Sequence, residues 1–229
     1  MLKKIKVIGF DADDTLWVNE PFYQDVENEF CLIMKPYMID KEASEELFKT
    51  EMQNLEIYGY GAKGFILAMI ETAIRVTSSQ ISATELNQII DIGKSLLTMP
   101  IQLIDGVEEV LQQLQGQYKL ILATKGDLLD QERKLERSGL FRYFHHIEIM
   151  SDKHENNYKK LLHLLDIEAH QFLMVGNSVK SDILPVINIG AKAIHVPFEV
   201  TWQHENNHAL PDSKTFITVS EISEILTLL

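Results

Sequence analysis

The chain has 229 residues, 45% hydrophobic and 24% charged, which suits an ordinary globular protein with one core and a sizeable insertion. Lys and Arg total 21 against 34 Asp and Glu, for a formal net charge of -13. Such a surface repels nucleic acid and anionic membranes, because it has few cations to displace counterions from phosphates.

The opening Met1-Leu2-Lys3-Lys4-Ile5-Lys6 leads into a short apolar run that Asp11 ends, so neither a signal peptide nor a membrane span is expected. That first run, 5–10, has the length and β-branched content of a buried strand. Four helical segments follow, near 21–37, 40–57, 62–78 and 83–97, the last opening on the capping-box spacing Ser82-Ala83-Thr84-Glu85. Cys31 lies in the first of them; a lone cysteine forms no internal disulfide and fits a reducing cytoplasm, the expected location. Asp105-Gly106 then turns the chain into the amphipathic segment 107–114. Further strand-like runs lie at 119–123, 147–150, 172–175 and 191–196, with a possible edge strand at 215–219. Helical patterns at 128–139 and 157–165 alternate with them.

Alternation of this kind predicts an α/β fold, a three-layer Rossmann-like parallel sheet with helices on both faces. Residues 1–16 and 99–229 are expected to form it, and 17–98 to form an inserted helical cap. Ligands of such sheets bind at the carboxyl ends of the strands. After the first run comes Asp11-Ala12-Asp13-Asp14-Thr15-Leu16. A capped turn would use one such acid, but three carboxylates in four residues repel one another unless a cation sits among them. Mg2+ suits oxygen donors of this kind. After the later runs come Thr124-Lys125-Gly126, Ser151-Asp152-Lys153 and Gly176-Asn177-Ser178, with Asp182 beyond. Singly these read as a strand-end hydroxyl, a surface charge and a helix cap; jointly they put acid, hydroxyl, cation and acid at four ends of one sheet.

This series resembles the four motifs of the haloacid dehalogenase-like superfamily, from Lys4 to about Pro197, with the helical segment where that superfamily's first type of cap sits. The resemblance implies a Mg2+-dependent phosphohydrolase acting on a small phosphorylated metabolite, such as a sugar phosphate, phosphoglycolate or a nucleotide monophosphate. It implies Asp11 as nucleophile, Asp13 as acid and base, and Thr124 and Lys153 as the groups that hold the transferred phosphoryl. Thr124, Lys125 and Gly126 would bind substrate. Mg2+ would be held by Asp11, the Asp13 carbonyl and Asn177, with Asp182 in support. Lys159 and Lys160, alternatives to Lys153, fall inside a helical pattern as a solvated face.

Two positions depart from the family pattern: Asp14 stands where Gly is common, and Asn177 where Asp is usual, which removes one negative charge from the metal site. Asp14 is a candidate to compensate. Metal-free dehalogenases of the same superfamily share the nucleophile and the lysine but lack the second Asp, so Asp13 favours phosphoryl transfer. A non-catalytic phosphometabolite-binding protein is the other rival, with Asn177 its one hint. Lysines 35, 41, 49 and 63 lie where a phosphonate-cleaving member would need a Schiff-base lysine, but nothing marks one as desolvated.

Three further segments stand out. Tyr58-Gly59-Tyr60-Gly61-Ala62-Lys63-Gly64-Phe65 reads as an interhelical loop, or as a substrate-reading loop that uses Tyr60 and Lys63. Trp17 reads as core packing at the entry to the cap. His204-Glu205-Asn206-Asn207-His208 spells the zinc-protease string, but it has no apolar helix face and Pro211 follows, so a surface loop is expected, with Trp202 buried beside it. The sequence carries no signal for oligomeric state.

Overall fold

The computed structural model describes residues 2, 4–205 and 216–229. Six parallel strands form one sheet: β1 (Val7–Phe10), β2 (Lys119–Lys125), β3 (His146–Met150), β4 (Phe172–Gly176), β5 (Lys192–His195) and β6 (Phe216–Thr218). Their order is β3-β2-β1-β4-β5-β6. β1 therefore has β2 on one side and β4 on the other, and Phe10 pairs with both Leu122 and Val175. The strand order reverses there, which is where open sheets of this type leave a crevice at their carboxyl edge.

Alternation along the strands divides the side chains between two buried faces. Ile8, Phe10, Leu120, Leu122, Leu173, Val175 and Ile194 point to one core, which α5 (Val107–Leu114) closes with Val110, Leu111 and Leu114. Val7, Ile121, Ala123, Phe172, Met174 and Ala193 point to the other, closed by Tyr158, Leu161 and Leu162 of α7 (Glu155–Leu164) and Val186 of α8 (Leu184–Asn188). Both faces are dry, so the strands read as continuous apolar runs rather than as an alternation of apolar and polar. β1 starts at Val7, two residues later than the apolar run predicts, and β2 runs on to Lys125. The edge strand expected at 215–219 is observed as Phe216–Thr218; its first residue lies outside the described residues.

The chain divides into two compact units. The sheet unit comprises residues 1–20, 101–125 and 131–229, and Trp17 is fully buried in its core. The other unit, 21–100 with 126–130, is built on α1 (Glu20–Met34), α2 (Asp40–Tyr58), α3 (Ala62–Val76) and α4 (Ala83–Thr98). Phe30, Met34, Leu47, Phe65, Met69 and Ile89 form its core. The capping box is present: Ser82 Oγ accepts from the Glu85 amide, and Glu85 returns a carboxylate to the Ser82 amide. Gly93 lets α4 press on α3, since a Cβ there would sit 2.4 Å from Ile66. No helix among the described residues is long and apolar enough to cross a membrane.

One acid of the helical unit opposes folding in a pH-dependent way. Burial and the Glu27 carboxylate push Glu51 up from 4.5 to about 8. Between those pH values the unfolded chain has released a proton that the folded chain keeps, so Glu51 erodes stability as pH rises through that window. Glu51→Gln is expected to raise the melting temperature by about 2–4 °C more at pH 8.5 than at pH 6. Scanning calorimetry of variant and wild type at both pH values, clear of the isoelectric point near 5.0, checks this. An equal shift at the two pH values would count against it.

Candidate active site

The sheet brings the expected residues to one edge. Asp11 follows β1; Thr124 is the penultimate residue of β2; Lys153 follows β3; Asn177 follows β4. Because Phe10 pairs with Leu122, the two residues after Leu122 bring Thr124 alongside the Asp11 turn. Lys153, Thr124, Asp11 and Asn177 thus stand in the order of their strands.

At the centre is a buried triad of charges. Lys153 donates to Asp11 Oδ1 and, at 2.7 Å, to Asp182 Oδ1, and its side chain is 1% exposed. Burial works against this ammonium, but the carboxylates of Asp11 and Asp182 outweigh it and hold its pKa above the ordinary lysine value. Burial and the Asp182 charge push Asp11 up to about 7, against the pull of Lys153. Asp182 is locked from its other side, where Oδ2 accepts the Ser178 amide at 3.0 Å. Gly176 makes room for it: a Cβ there would lie 2.3 Å from Asp182 Oδ2.

Asp13, two residues on, has different neighbours. Its Oδ1 accepts from the Trp17 indole at 2.7 Å and the Lys134 ammonium at 3.1 Å, and its Oδ2 accepts from the Gln131 amide at 2.7 Å. Gln131 and Lys134 lie three residues apart on α6 (Leu128–Ser138), so they project from one face. Lys134 also donates to Asn19 at 2.8 Å. Sequence reasoning missed both. Their spacing on a helix after Thr124 was the available signal, and it says nothing about which strand end they reach.

Asp14, the candidate to compensate, has a backbone task. Its carboxylate accepts from the Asn19 and Glu20 amides at 2.8 and 3.1 Å, which makes it a cap for the chain entering α1. Its φ of 59° explains the glycine that the family prefers here; Asp is among the few other residues that tolerate this conformation. Burial pushes its carboxyl up to about 7, opposed by the amide bonds.

Thr15 ties the two ends of the site together. Its hydroxyl lies 3.3 Å from Asp11 Oδ2 and 3.2 Å from Asn177 Oδ1, and it accepts the Asn177 amide at 3.1 Å. His195 supports the same loop by donating Nε2–H to the Asn177 carbonyl at 3.0 Å, while burial lowers its pKa and keeps the ring neutral. Thr124 is buried, yet its hydroxyl makes only a long 3.5 Å contact to the Lys125 carbonyl among the described residues. It therefore retains capacity for another partner.

Lys125 pairs with Glu205 and Ser181. Gly126 takes a positive φ of 139° just past β2. Tyr60 and Lys63 belong to the helical unit, where Lys63 donates to Asp127 at 2.8 Å, so a carboxylate of the chain already neutralises its ammonium. Lys159 and Lys160 are exposed on α7, as their helical pattern predicts. Of the zinc-protease string, His204 and Glu205 form a turn, with His204 packed on Trp202; Asn206, Asn207 and His208 lie outside the described residues.

The donors at the Asp11 edge fit a hard divalent cation. Among the described residues no three His, Cys, Asp or Glu side chains cluster as a metal site. The set that converges on Thr15 is instead a carboxylate and an amide oxygen, the donor types Mg2+ accepts. Three acids, Asp11, Asp13 and Asp182, share Lys153 and Lys134 there, so a further cation is electrostatically welcome.

Comparison with known proteins agrees with this geometry. A profile of haloacid dehalogenase-like hydrolases matches residues 5–190, and the chain belongs to that family. A haloacid dehalogenase-like family hydrolase from Xanthomonas campestris has TM-score 0.89 at 37% identity, over 98% of this chain and 90% of that one. A Bacillus subtilis HAD-hydrolase bound to magnesium shares the fold, with TM-score 0.67 at 18% identity over 99% of each chain. Glyceraldehyde 3-phosphate phosphatase of Pyrococcus abyssi is 32% identical over 98 residues, 40% of this chain and 41% of that protein. The chain thus spans about two fifths of the length of the curated relatives it matches.

The triad predicts a stability effect. Lys153→Met leaves Asp11 and Asp182 buried without their shared counter-charge, at an expected cost of about 3–5 kcal/mol. Adding Asp182→Asn should restore part of the loss. Urea denaturation of the single and double variants measures both, and additive losses would contradict the pairing.

Proposed function

We propose that this chain is a Mg2+-dependent phosphohydrolase that cleaves a small phosphate monoester through a phosphorylated Asp11. The observation that carries the reading is the division of two acids, two residues apart, into separate environments. Asp11 faces a buried ammonium and a second acid, whereas Asp13 is held by an indole, an amide and another lysine. Two carboxylates with different surroundings suit a nucleophile and an acid/base.

In this reading an Asp11 carboxylate oxygen attacks phosphorus while the ester oxygen departs with the Asp13 proton. Thr124 hydrogen-bonds the transferred group, and Lys153 offsets charge on its oxygens and on Asp11. Asp13, now a carboxylate, deprotonates the water that attacks the aspartyl-phosphate, which frees phosphate and restores both acids. Mg2+, held by Asp11, the Asp13 carbonyl and Asn177, with Asp182 in support, would stabilise charge on the phosphoryl oxygens. Glyceraldehyde 3-phosphate phosphatase among the relatives and a magnesium-bound fold neighbour support this assignment. The helical segment 17–98 serves as the cap that selects substrate, with Tyr60 and Lys63 on its loop. Because Asp127 holds the Lys63 ammonium, Lys63 orders residues 126–130 rather than offering a bare charge.

Asp11→Asn is expected to reduce phosphate release from para-nitrophenyl phosphate with Mg2+ on the order of 10⁴-fold or more, with an unchanged circular dichroism spectrum. Near wild-type turnover in that variant would defeat the mechanism. Turnover without Mg2+ would favour the dehalogenase-type alternative, and tight binding without turnover a phosphometabolite-binding role.

Asn177→Asp adds a negative charge to the donor set and should lower the Mg2+ concentration for half-maximal activity by roughly tenfold. Asn177→Ala should raise it. A shared midpoint for all three proteins would remove Asn177 from the metal site.

A further inference from the structure

Beside the Asp11 edge, the sheet unit holds a second group of largely buried charges. Lys125 ends β2 one residue past Thr124. Its ammonium donates to Ser181 Oγ at 2.9 Å and to Glu205 Oε1, and the Ser181 hydroxyl lies 3.1 Å from the same carboxylate oxygen. Lys180 contacts His204, next to Glu205 in the chain. The Glu205 side chain, delivered by the turn after β5, is 10% exposed.

The electrostatics are those of an anion site that already holds an anion. Burial opposes the Glu205 charge, but Lys125, with help from Ser178 and Lys153, holds its carboxyl down at about 2. Lys180 feels the reverse: burial and the Lys125 charge lower its pKa, and Glu205 props it up. Without Glu205, the Lys125 ammonium and the Ser181 hydroxyl would be left facing an unfilled place, with Ser178 and the Lys180 charge close by, a combination that recognises carboxylate or phosphate. The group adjoins the Asp11 edge: the Lys153 ammonium that binds Asp11 also acts on Glu205, and Lys125 and Ser181 neighbour Thr124 and Asp182 in the chain.

We propose that Lys125, Lys180 and Ser181 form a seat for a second anionic group of a substrate, and that Glu205 fills this seat from within, so that the protein selects phosphate monoesters with an uncharged alcohol part. The inference rests on the phosphohydrolase reading. A carboxylate or second phosphate near the reacting phosphate would meet a like charge in a desolvated place, a repulsive element of the kind that builds specificity. A sugar or polyol hydroxyl in that position meets no such penalty.

Glycerol 3-phosphate and 3-phosphoglycerate test this, since they differ by a hydroxymethyl against a carboxylate. The wild type should favour glycerol 3-phosphate in kcat/KM. Glu205→Gln should raise the relative efficiency with 3-phosphoglycerate about tenfold or more, and adding Lys125→Met should abolish the gain. Calorimetric binding of the two compounds to Asp11→Asn protein, with and without Glu205→Gln, reads the same ratio without turnover and also reports whether the variant folds. An unchanged ratio overturns the proposal. So does an equal rise for both compounds, which would place Glu205 against the reacting phosphate. If the wild type releases phosphate from neither compound nor from para-nitrophenyl phosphate, the phosphohydrolase reading fails, and the binding ratio alone decides the seat.

Discussion

A single ammonium joins the catalytic edge of this sheet. Lys153 arrives from the end of β3 and meets Asp11 from β1 and Asp182 from beyond β4, so three strands converge on one cation with almost no access to water. Neither acid is comfortable there alone, and the lysine depends on both, on Asp11 more than on Asp182. The arrangement is costly to disturb, which is why its supports are so specific. Gly176 has no side chain where Asp182 must lie, and the Ser178 amide fixes the second oxygen of that acid. A charge network under this much constraint holds the Asp11 carboxylate in one orientation.

Much of this was legible in the residues because parallel α/β sheets translate sequence into place in a simple way. Apolar runs mark the strands, and the residues just past each run stand at the carboxyl edge; Asp11, Thr124, Lys153 and Asn177 all obey that rule. Strand boundaries shifted by a residue or two, as at Val7 and Lys125, because pairing with neighbours sets where a ladder starts and stops. The partners of Asp13 were not legible. Gln131 and Lys134 reach it across more than a hundred residues, and nothing local to α6 says what its polar face meets. Glu205 was hidden differently. Its surroundings look like a polar loop, and its partners Lys125 and Ser181 come from distant parts of the chain. Asp14 misled in the opposite sense, since a third acid in the cluster suggests a ligand while the φ of 59° and the two capped amides give it a backbone task.

Asn177 shows how a neutral residue can occupy a position where charge is usual. The Thr15 hydroxyl touches its side-chain oxygen, its own amide returns to Thr15, and His195 holds its carbonyl. Three contacts fix an oxygen that a carboxylate would have placed by charge alone. Burial lowers the His195 pKa, so that support brings little positive charge to the loop.

The Trp17 hydrogen bond has an optical consequence. Indole emission responds to charge placed along the ring, and the Trp17 N–H points straight at an Asp13 oxygen from a fully buried position. The chain has two tryptophans; the other, Trp202, packs on His204 beside Glu205. Each fluorophore therefore lies beside a different acid, Trp17 against Asp13 and Trp202 next to the turn that carries Glu205. Substituting either tryptophan by phenylalanine would leave a label-free reporter for the remaining site.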